Sequence, residues 1–261
     1  MKFHMRKSTV DLLVIIGIII VAVPIVVTFH VRPLISTIYF FILPSIYLLI
    51  RKPRDLNRIL SGSLLIGIVL GFILDFLATF NKAWYVPQNQ LVIPYRMFGI
   101  VPIDDMVWFF FWAFLIILCY EHFLEDDKTR HISKNLKWGI LPSVLIAFGI
   151  LALYATAPGM LEFHYAYLTL GLLAIIPLIW LAIRKPKMVI RFLKICPLFI
   201  FLFLVFELCA IYLQQWSFPG EYIGYIKFFS IKFPLEEFFF WILVSSTVVL
   251  SDYELFVDDI K

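Results

Sequence analysis

The sequence predicts an all-α multipass membrane protein in which eight transmembrane helices form two parallel four-helix repeats about a pseudo-twofold along the membrane normal. Three observations carry this. First, apolar residues make up 62% of the chain and charged residues 15%, with a mean hydropathy of +0.96, far from the composition of a soluble domain. Second, apolar runs of roughly 18 to 24 residues recur along the whole length, each long enough to cross a hydrocarbon core of about 30 Å as helix. Third, acids, tryptophans and prolines return in the same order 132 residues later: Asp75 with Trp84 and then Glu207 with Trp216, Pro102-Ile-Asp-Asp105 and then Pro234-Leu-Glu-Glu237.

The spans are expected in order at about 10–29, 33–50, 59–81, 103–124, 137–156, 163–183, 190–213 and 235–256. Runs this long and continuous are not barrel strands, which would alternate over about ten residues. The first span is too long, and too poor in small-residue cleavage signals, to be a removed leader. Arg51-Lys-Pro53 closes the second span, and Arg184-Lys-Pro186 repeats it with the register slipped by one. The fourth and eighth spans each open on a proline followed by two acids. Pro tolerates the first turn, where its missing N–H costs nothing, and acids there are expected to accept from free helix N–H groups.

The first repeat occupies 1–124, a polar linker 125–135 and the second repeat 136–261. Four spans per repeat is an even number, so both copies have the same orientation. Seventeen of the 22 Lys and Arg residues fall at the N-terminus, at 51–58, 125–137 and 184–194, and at the C-terminus; the opposite face has only Arg32, Lys82, Arg96, Lys227 and Lys232. The positive-inside rule then makes both termini cytoplasmic, in a cell-membrane protein. The net charge of +4 reflects topology and not nucleic-acid binding. Cys119, Cys196 and Cys209 lie in apolar spans without metal or disulfide spacing and read as buried structural thiols; neither a metal nor another cofactor is expected.

Asp75 and Glu207 are the informative residues. Trp84 and Trp216, with Tyr85, read as an outer interfacial belt, which places each acid roughly 13 Å along its helix from that belt. A carboxylate at such depth costs several kcal/mol unless protonated, paired or wetted, so it marks function by default. With Asp104, Asp105, Glu236 and Glu237 the repeats offer six candidate catalytic carboxyls on the extracytoplasmic side. Acids crowded in a low dielectric cannot all ionise, and a proton-holding acid beside an unprotonated one is what general acid–base chemistry needs. The aromatic runs beside them supply Trp108, Phe109, Trp112, Phe238, Phe240 and Trp241 as candidate substrate-binding residues. Aromatic faces stabilise a desolvated cation by about 2 kcal/mol or more. Acid, base, aromatic lining and a membrane-dissolved substrate together suggest cation chemistry on a hydrocarbon.

Other polar residues rank lower. Asn81 has Leu213 as its counterpart, and either marks an asymmetry or caps a hydrogen bond. Lys82, Arg96, Lys227 and Lys232 are expected to neutralise acids at the surface. His30, His122 and His164 read as interfacial, and the Tyr120-Glu121 and Tyr253-Glu254 pairs as helix anchors.

Paired repeats with an acid, a Trp nine residues on, Pro-x-Glu-Glu or its Asp form and an aromatic run resemble the lycopene cyclases of the small, membrane-integral, heterodimeric type, here with both halves fused. The resemblance covers nearly the whole chain. It implies a lycopene β-cyclase of carotenoid biosynthesis, which turns ψ-ends into β-rings by proton-initiated, non-redox cyclisation. The expected partners are lycopene, the lipid bilayer and other carotenoid-pathway membrane enzymes. Glu236 and Glu237 match the family motif best, and one of them is the implied proton donor. Asp104 and Asp105 are their first-copy equivalents, with Asp where the family usually has Glu. Asp75 and Glu207 are assigned to cation stabilisation or the final deprotonation.

A proton- or cation-coupled transporter would also place acids on repeated helices. Such proteins usually break spans near the midplane, whereas Gly71, Gly149 and Gly171 are scattered; equivalent prolines do occur at Pro44 and Pro177. A diphosphate-using prenyltransferase would need a second Asp cluster, which is absent.

Overall fold

The computed structural model describes residues 7–51, 56–125 and 131–258. Among the described residues six helices are long and apolar enough to cross a membrane: α1 (Ser8–Thr28), α2 (Pro33–Arg51), α3 (Leu56–Phe80), α4 (Ile103–Phe123), α5 (Leu136–Thr156) and α6 (Ala166–Arg184). Four shorter helices form two bent pairs. α7 (Pro186–Phe192) meets α8 (Cys196–Tyr212) at 50°, and α9 (Glu237–Leu243) meets α10 (Ser245–Phe256) at 54°. Counting each pair as one span brings the number to eight. The chain is thus all-α and multipass, with bounds close to those expected from hydropathy. Lys2, Arg6, Lys52, Pro53, Arg54, Lys128, Arg130 and Lys261, which entered the charge and repeat readings, lie outside the described residues, as do linker residues 126–130.

In lipid every backbone polar group needs an internal partner. Where the helices deviate, hydroxyls supply one. Ile38–Ile42 and Leu64–Leu70 are π-helical. Pro44 removes an N–H just beyond the first of these, and Ser45 Oγ donates to the Phe41 carbonyl at 2.7 Å. Pro142 interrupts α5, and Ser143 bonds the Gly139 carbonyl at 2.7 Å. α9 is itself π-helical, and Ser245 closes its end on the Trp241 carbonyl at 2.5 Å.

α3 and α4 approach backbone to backbone at Gly67, where an added Cβ would sit 2.6 Å from the Phe109 carbonyl oxygen. Small residues at such crossings let helices pack without intervening side chains. Gly67→Leu is therefore expected to separate the two helices and abolish a monodisperse peak in detergent size-exclusion chromatography, while Gly17→Leu, in open space, leaves it unchanged.

Two antiparallel hairpins cap the end that carries the acids. β1 (Arg96–Met97) pairs with β2 (Val101–Pro102) before α4, and β3 (Tyr225–Phe228) pairs with β4 (Ile231–Pro234) before α9. Corresponding turns precede them. Lys82 and Gln214 both take left-handed backbone angles, φ 60° and 54°. Ala83 N–H reaches back to the Ala78 carbonyl at 2.7 Å, and Gln215 N–H to that of Ala210 at 2.8 Å. Tyr85 and Ser217, counterparts in the sequence repeat, bond each other: each N–H donates to the other's carbonyl at 2.9 Å.

At the far end of α4 and α10 a second reciprocal contact occurs. Tyr120 donates to Glu254, and Tyr253 donates to Glu121 at 2.5 Å. Buried Arg58 joins in, at 2.6 Å from Glu121 and 3.0 Å from Asp258. These tyrosine–acid pairs, expected as helix anchors, fasten α4 and α10 to each other in an interlocked buried network. Their side chains meet because α4 and α10 cross there. His122 departs from the interfacial expectation: its side chain is only 5% exposed, with Nε2 3.0 Å from Asp11, which also accepts from Tyr47 and Arg51 at 2.7 Å each. His30 and His164 are exposed; His164 pairs with Glu221 at 2.9 Å. All three cysteines are free and buried.

Candidate functional site

Each intramembrane acid is held by the tryptophan nine residues later. Trp84 Nε1 donates to Asp75 Oδ1 at 2.7 Å, and Trp216 Nε1 donates to Glu207 Oε1 at 3.0 Å. This corrects the belt reading, which took the helix to continue to the tryptophan. α3 instead ends at Phe80, the left-handed Lys82 reverses the chain, and the indole returns alongside the acid; α8 does the same through Gln214. Thr79 adds a second donor to Asp75 Oδ1 at 3.2 Å. Asp75 Oδ2 and Glu207 Oε2 are buried and have no hydrogen-bond partner among the described residues.

The two acids of each Pro-x-acid-acid motif part company. Asp104 accepts from the loop amides of Val92 at 2.6 Å and Ile93 at 3.0 Å, and Glu236 accepts from the loop amide of Ile223 at 2.7 Å. The first acid is thus committed to pinning the preceding loop, not to capping its own helix as expected from sequence. Pro102 is the extended residue just ahead of α4, with φ −60° and ψ 139°. The second acid goes elsewhere. Asp105 and Glu237 line one cavity with Glu207 and with Trp84, the indole that holds Asp75. Tyr167 on α6 donates to Glu237 Oε2 at 2.5 Å.

That cavity, of about 150 Å³, is lined by Asp104, Asp105, Glu207 and Glu237 among largely apolar side chains. Asp75 is not part of that lining, but Trp84, which donates to it, is. Five of the six expected aromatics line it: Trp108, Phe109, Trp112, Phe240 and Trp241. Phe238 does not, and packs at the edge of the apolar core instead, because α9 turns it away from Glu237. Trp108 lies 4.9 Å from Trp241 and Trp112 lies 5.6 Å from it, ring centre to ring centre. The helices of both sequence halves therefore meet at these indoles. The Nε1 atoms of Trp108 and Trp112 are buried without a partner among the described residues.

Tyr167, Trp84 and Trp216 are the members that sequence reasoning missed or misplaced. Trp84 packs edge-on against Tyr167 at 5.4 Å, and all three line the cavity. Tyr167 has no tyrosine counterpart 132 or 133 residues earlier, where Ile35 and Leu34 stand, so the repeat did not flag it.

Among the described residues the basic residues form no direct ion pair with the site acids. Arg96 donates to the carbonyls of Val86 at 2.5 Å and Ile100 at 3.1 Å, and Lys232 lies over the Tyr225 ring at 3.9 Å. Among the described residues no ion pair links Lys82, Lys227 or Lys232 to these acids. Asn81 is a clamp: Nδ2 donates to the carbonyls of Leu77 and Leu161, and Oδ1 accepts from Phe163 N–H at 2.9 Å. In the loop, burial pushes the Tyr222 phenol up, so it stays a donor, to the Ala83 carbonyl at 2.8 Å.

Oxygens of Glu125, Glu254 and Asp258 lie within 4.8 Å of one another. This cluster belongs to the network at the opposite end, where Tyr120, Arg58 and Arg191 already engage it. Comparison with known protein families, with curated proteins and with solved structures finds no match.

Chemically, the cavity puts carboxyls from both sequence halves within an aromatic, largely apolar wall. Such a place can give a proton to an apolar molecule, shelter the resulting cation and take a proton back.

Proposed function

We propose that this chain is a lycopene β-cyclase of carotenoid biosynthesis, built as two parallel four-helix repeats around a pseudo-twofold along the membrane normal, with both termini cytoplasmic. The observation that carries the activity is that Asp105, Glu207 and Glu237, from both sequence halves, line one aromatic cavity together with the tryptophans that hold Asp75 and Glu207. The repeat reading is supported by the two acid–Trp bonds and the self-paired Tyr85–Ser217 bridge, which keep the 132-residue spacing, and by the two motif-acid-to-loop clamps, whose donors fall one or two residues out of that register. With the Tyr120–Glu254 and Tyr253–Glu121 bonds at the other end, contacts between equivalent residues occur at both faces, as an axis along the normal requires.

In the reaction a carboxylic acid adds its proton to the terminal alkene, leaving a tertiary cation. The π pair of the next alkene closes the ring and moves the charge onto a ring carbon. A carboxylate then removes the neighbouring ring proton, and that C–H pair becomes the new double bond. Donor and acceptor end with their protonation exchanged, and no electrons leave the substrate. The indoles of Trp108, Trp112 and Trp241 offer their faces to the transient charge, and the same carboxyls serve whether one end of the substrate reacts or both.

The deciding experiment is expression in a lycopene-accumulating bacterial host with chromatographic analysis of its pigments. Ring-bearing carotenoid is expected; unchanged lycopene despite verified membrane insertion would overturn the reading.

One observation favours a second reading. The 54° break between α9 and α10 falls at Val244, beside cavity-lining Ser245, and interrupted helices at a site are typical of ion-coupled transporters. Purified protein in vesicles loaded with a pH-sensitive dye discriminates: the cyclase leaves an imposed proton gradient intact, and a transporter collapses it.

A further inference from the structure

The cavity is small, and one of its walls is thin. At about 150 Å³ it has room for little more than one six-membered ring, since a dry protein cavity of about that size is filled by a single benzene molecule. An end group about to close its ring fits there, and the rest of a long polyene does not. One wall is built from Gly171, Ala174 and Ile175 of α6 with Phe240 and Val248 of α9 and α10. Ala174, Ile175, Phe240 and Val248 are half-buried, and the neighbouring Leu173, Ile176 and Phe239 are exposed on the outer surface. A single layer of side chains therefore closes the cavity on this side. Both helical segments that frame it are interrupted there: α6 at Ile175, two residues ahead of Pro177, and the α9–α10 pair at Val244. Between them Phe240 lies against bare backbone, so that a Cβ added at Gly171 would sit 2.3 Å from its ring. With no side chain at 171 to interlock with, the ring is free to swing aside, a rotamer change that partly open side chains make on the picosecond-to-nanosecond timescale.

We propose that the wall between α6 and α9–α10 is the substrate's entry: one end of a linear isoprenoid hydrocarbon passes sideways from the bilayer core by displacing Phe240 from Gly171, while the remaining polyene stays in lipid. Tyr167, Gly171 and Ala174 are four and three residues apart, which sets them in one stripe along α6. That stripe leads inward to Glu237, to which Tyr167 donates. An end group sliding along it arrives beside a carboxyl, among the indoles of Trp108 and Trp241. The protein thus encloses one end group at a time, and a second cyclisation on the same molecule requires withdrawal and re-entry from the other end. The inference rests on the cyclase reading and adds the path and the residues that control it.

A reversible lock tests this in isolated membranes loaded with lycopene. The Phe240 Cγ lies 2.4 Å from the Cβ position of Gly171, so cysteines at the two positions would have Cβ atoms within about 4 Å, the range of a disulfide. The double variant Gly171→Cys with Phe240→Cys is expected to lose ring formation when oxidised and to regain it when the same membranes are treated with a thiol reductant. Phe240→Cys alone should give one rate in both states. A second measurement does not depend on turnover. Lycopene is expected to slow the reaction of Ala174→Cys with a membrane-permeant alkylthiosulfonate, read by peptide mass spectrometry. Leu172→Cys, on the exposed outer face, should react at the same rate with or without lycopene. Protection at 174 decides the matter if the double variant is inactive even when reduced. A pair that never cross-links, a cross-linked protein that still forms rings, or a residue 174 that lycopene leaves unprotected overturns the entry while leaving the cyclase reading in place. Wild type that forms no ring sinks both.

Discussion

Glu237→Gln is expected to abolish ring formation, by at least about a hundredfold, while Glu236→Gln retains most of it. Sequence treats these neighbours as equal candidates, but their surroundings do not. Glu236 is fixed to the Ile223 amide outside the cavity lining, whereas Glu237 lines the cavity beside Glu207 and under the Tyr167 hydroxyl. Losing a proton-transfer group costs about 10² to 10⁴ in rate. An amide at 237 keeps the size and the hydrogen bond from Tyr167 but carries no transferable proton. At 236 an amide oxygen still accepts from Ile223 N–H, so the hairpin stays placed. Pigment analysis of the two variants, at matched protein level in a lycopene-loaded host, reads the difference directly. Equal activity in both would displace the proton chemistry from this position.

The second large effect concerns stability. Arg58→Met is expected to lower the thermal midpoint in detergent sharply, corresponding to about 3–5 kcal/mol. Arg58 is buried at 4% side-chain exposure, with Glu121 at 2.6 Å and Asp258 at 3.0 Å. Without it two buried carboxyls lose their counter-charge, and Glu121 is also the acceptor for Tyr253. Double replacement of Arg58 by Met and Glu121 by Leu should recover part of the loss, because it removes both members of a charged pair rather than one. Tryptophan fluorescence during a temperature ramp measures both variants. A wild-type midpoint for the single variant would show the network to be ornamental.

Hydropathy and charge made the membrane class and most helix bounds legible, since a continuous apolar run of span length has few other uses. The breaks between α7 and α8 and between α9 and α10 were not legible. They depend on local hydrogen bonding, as where Ser245 closes on Trp241, and leave no mark on average hydropathy. The acids were found because they are costly in lipid and because they recur. Their roles were hidden by chain reversals: Lys82 and Gln214 in left-handed geometry bring Trp84 and Trp216 back onto the acids, and nothing in a ten-residue run of helix-compatible residues announces that turn. Tyr167 was invisible for the opposite reason, one aromatic among many with no twin. The partners of Arg58 and of the Tyr120–Glu254 lock could not be read from sequence because they lie up to 200 residues away in the chain.

The mutual Tyr85–Ser217 bridge has a consequence for chain continuity. Each strand there completes the other's backbone bonding, and the crossed phenol–carboxylate bonds fasten the opposite end. Alignment of the two segments is thus encoded in their contacts at both extremities. The covalent tether at 125–135 is not needed for that alignment, so coexpressed fragments severed there should find one another and reconstitute the same interior.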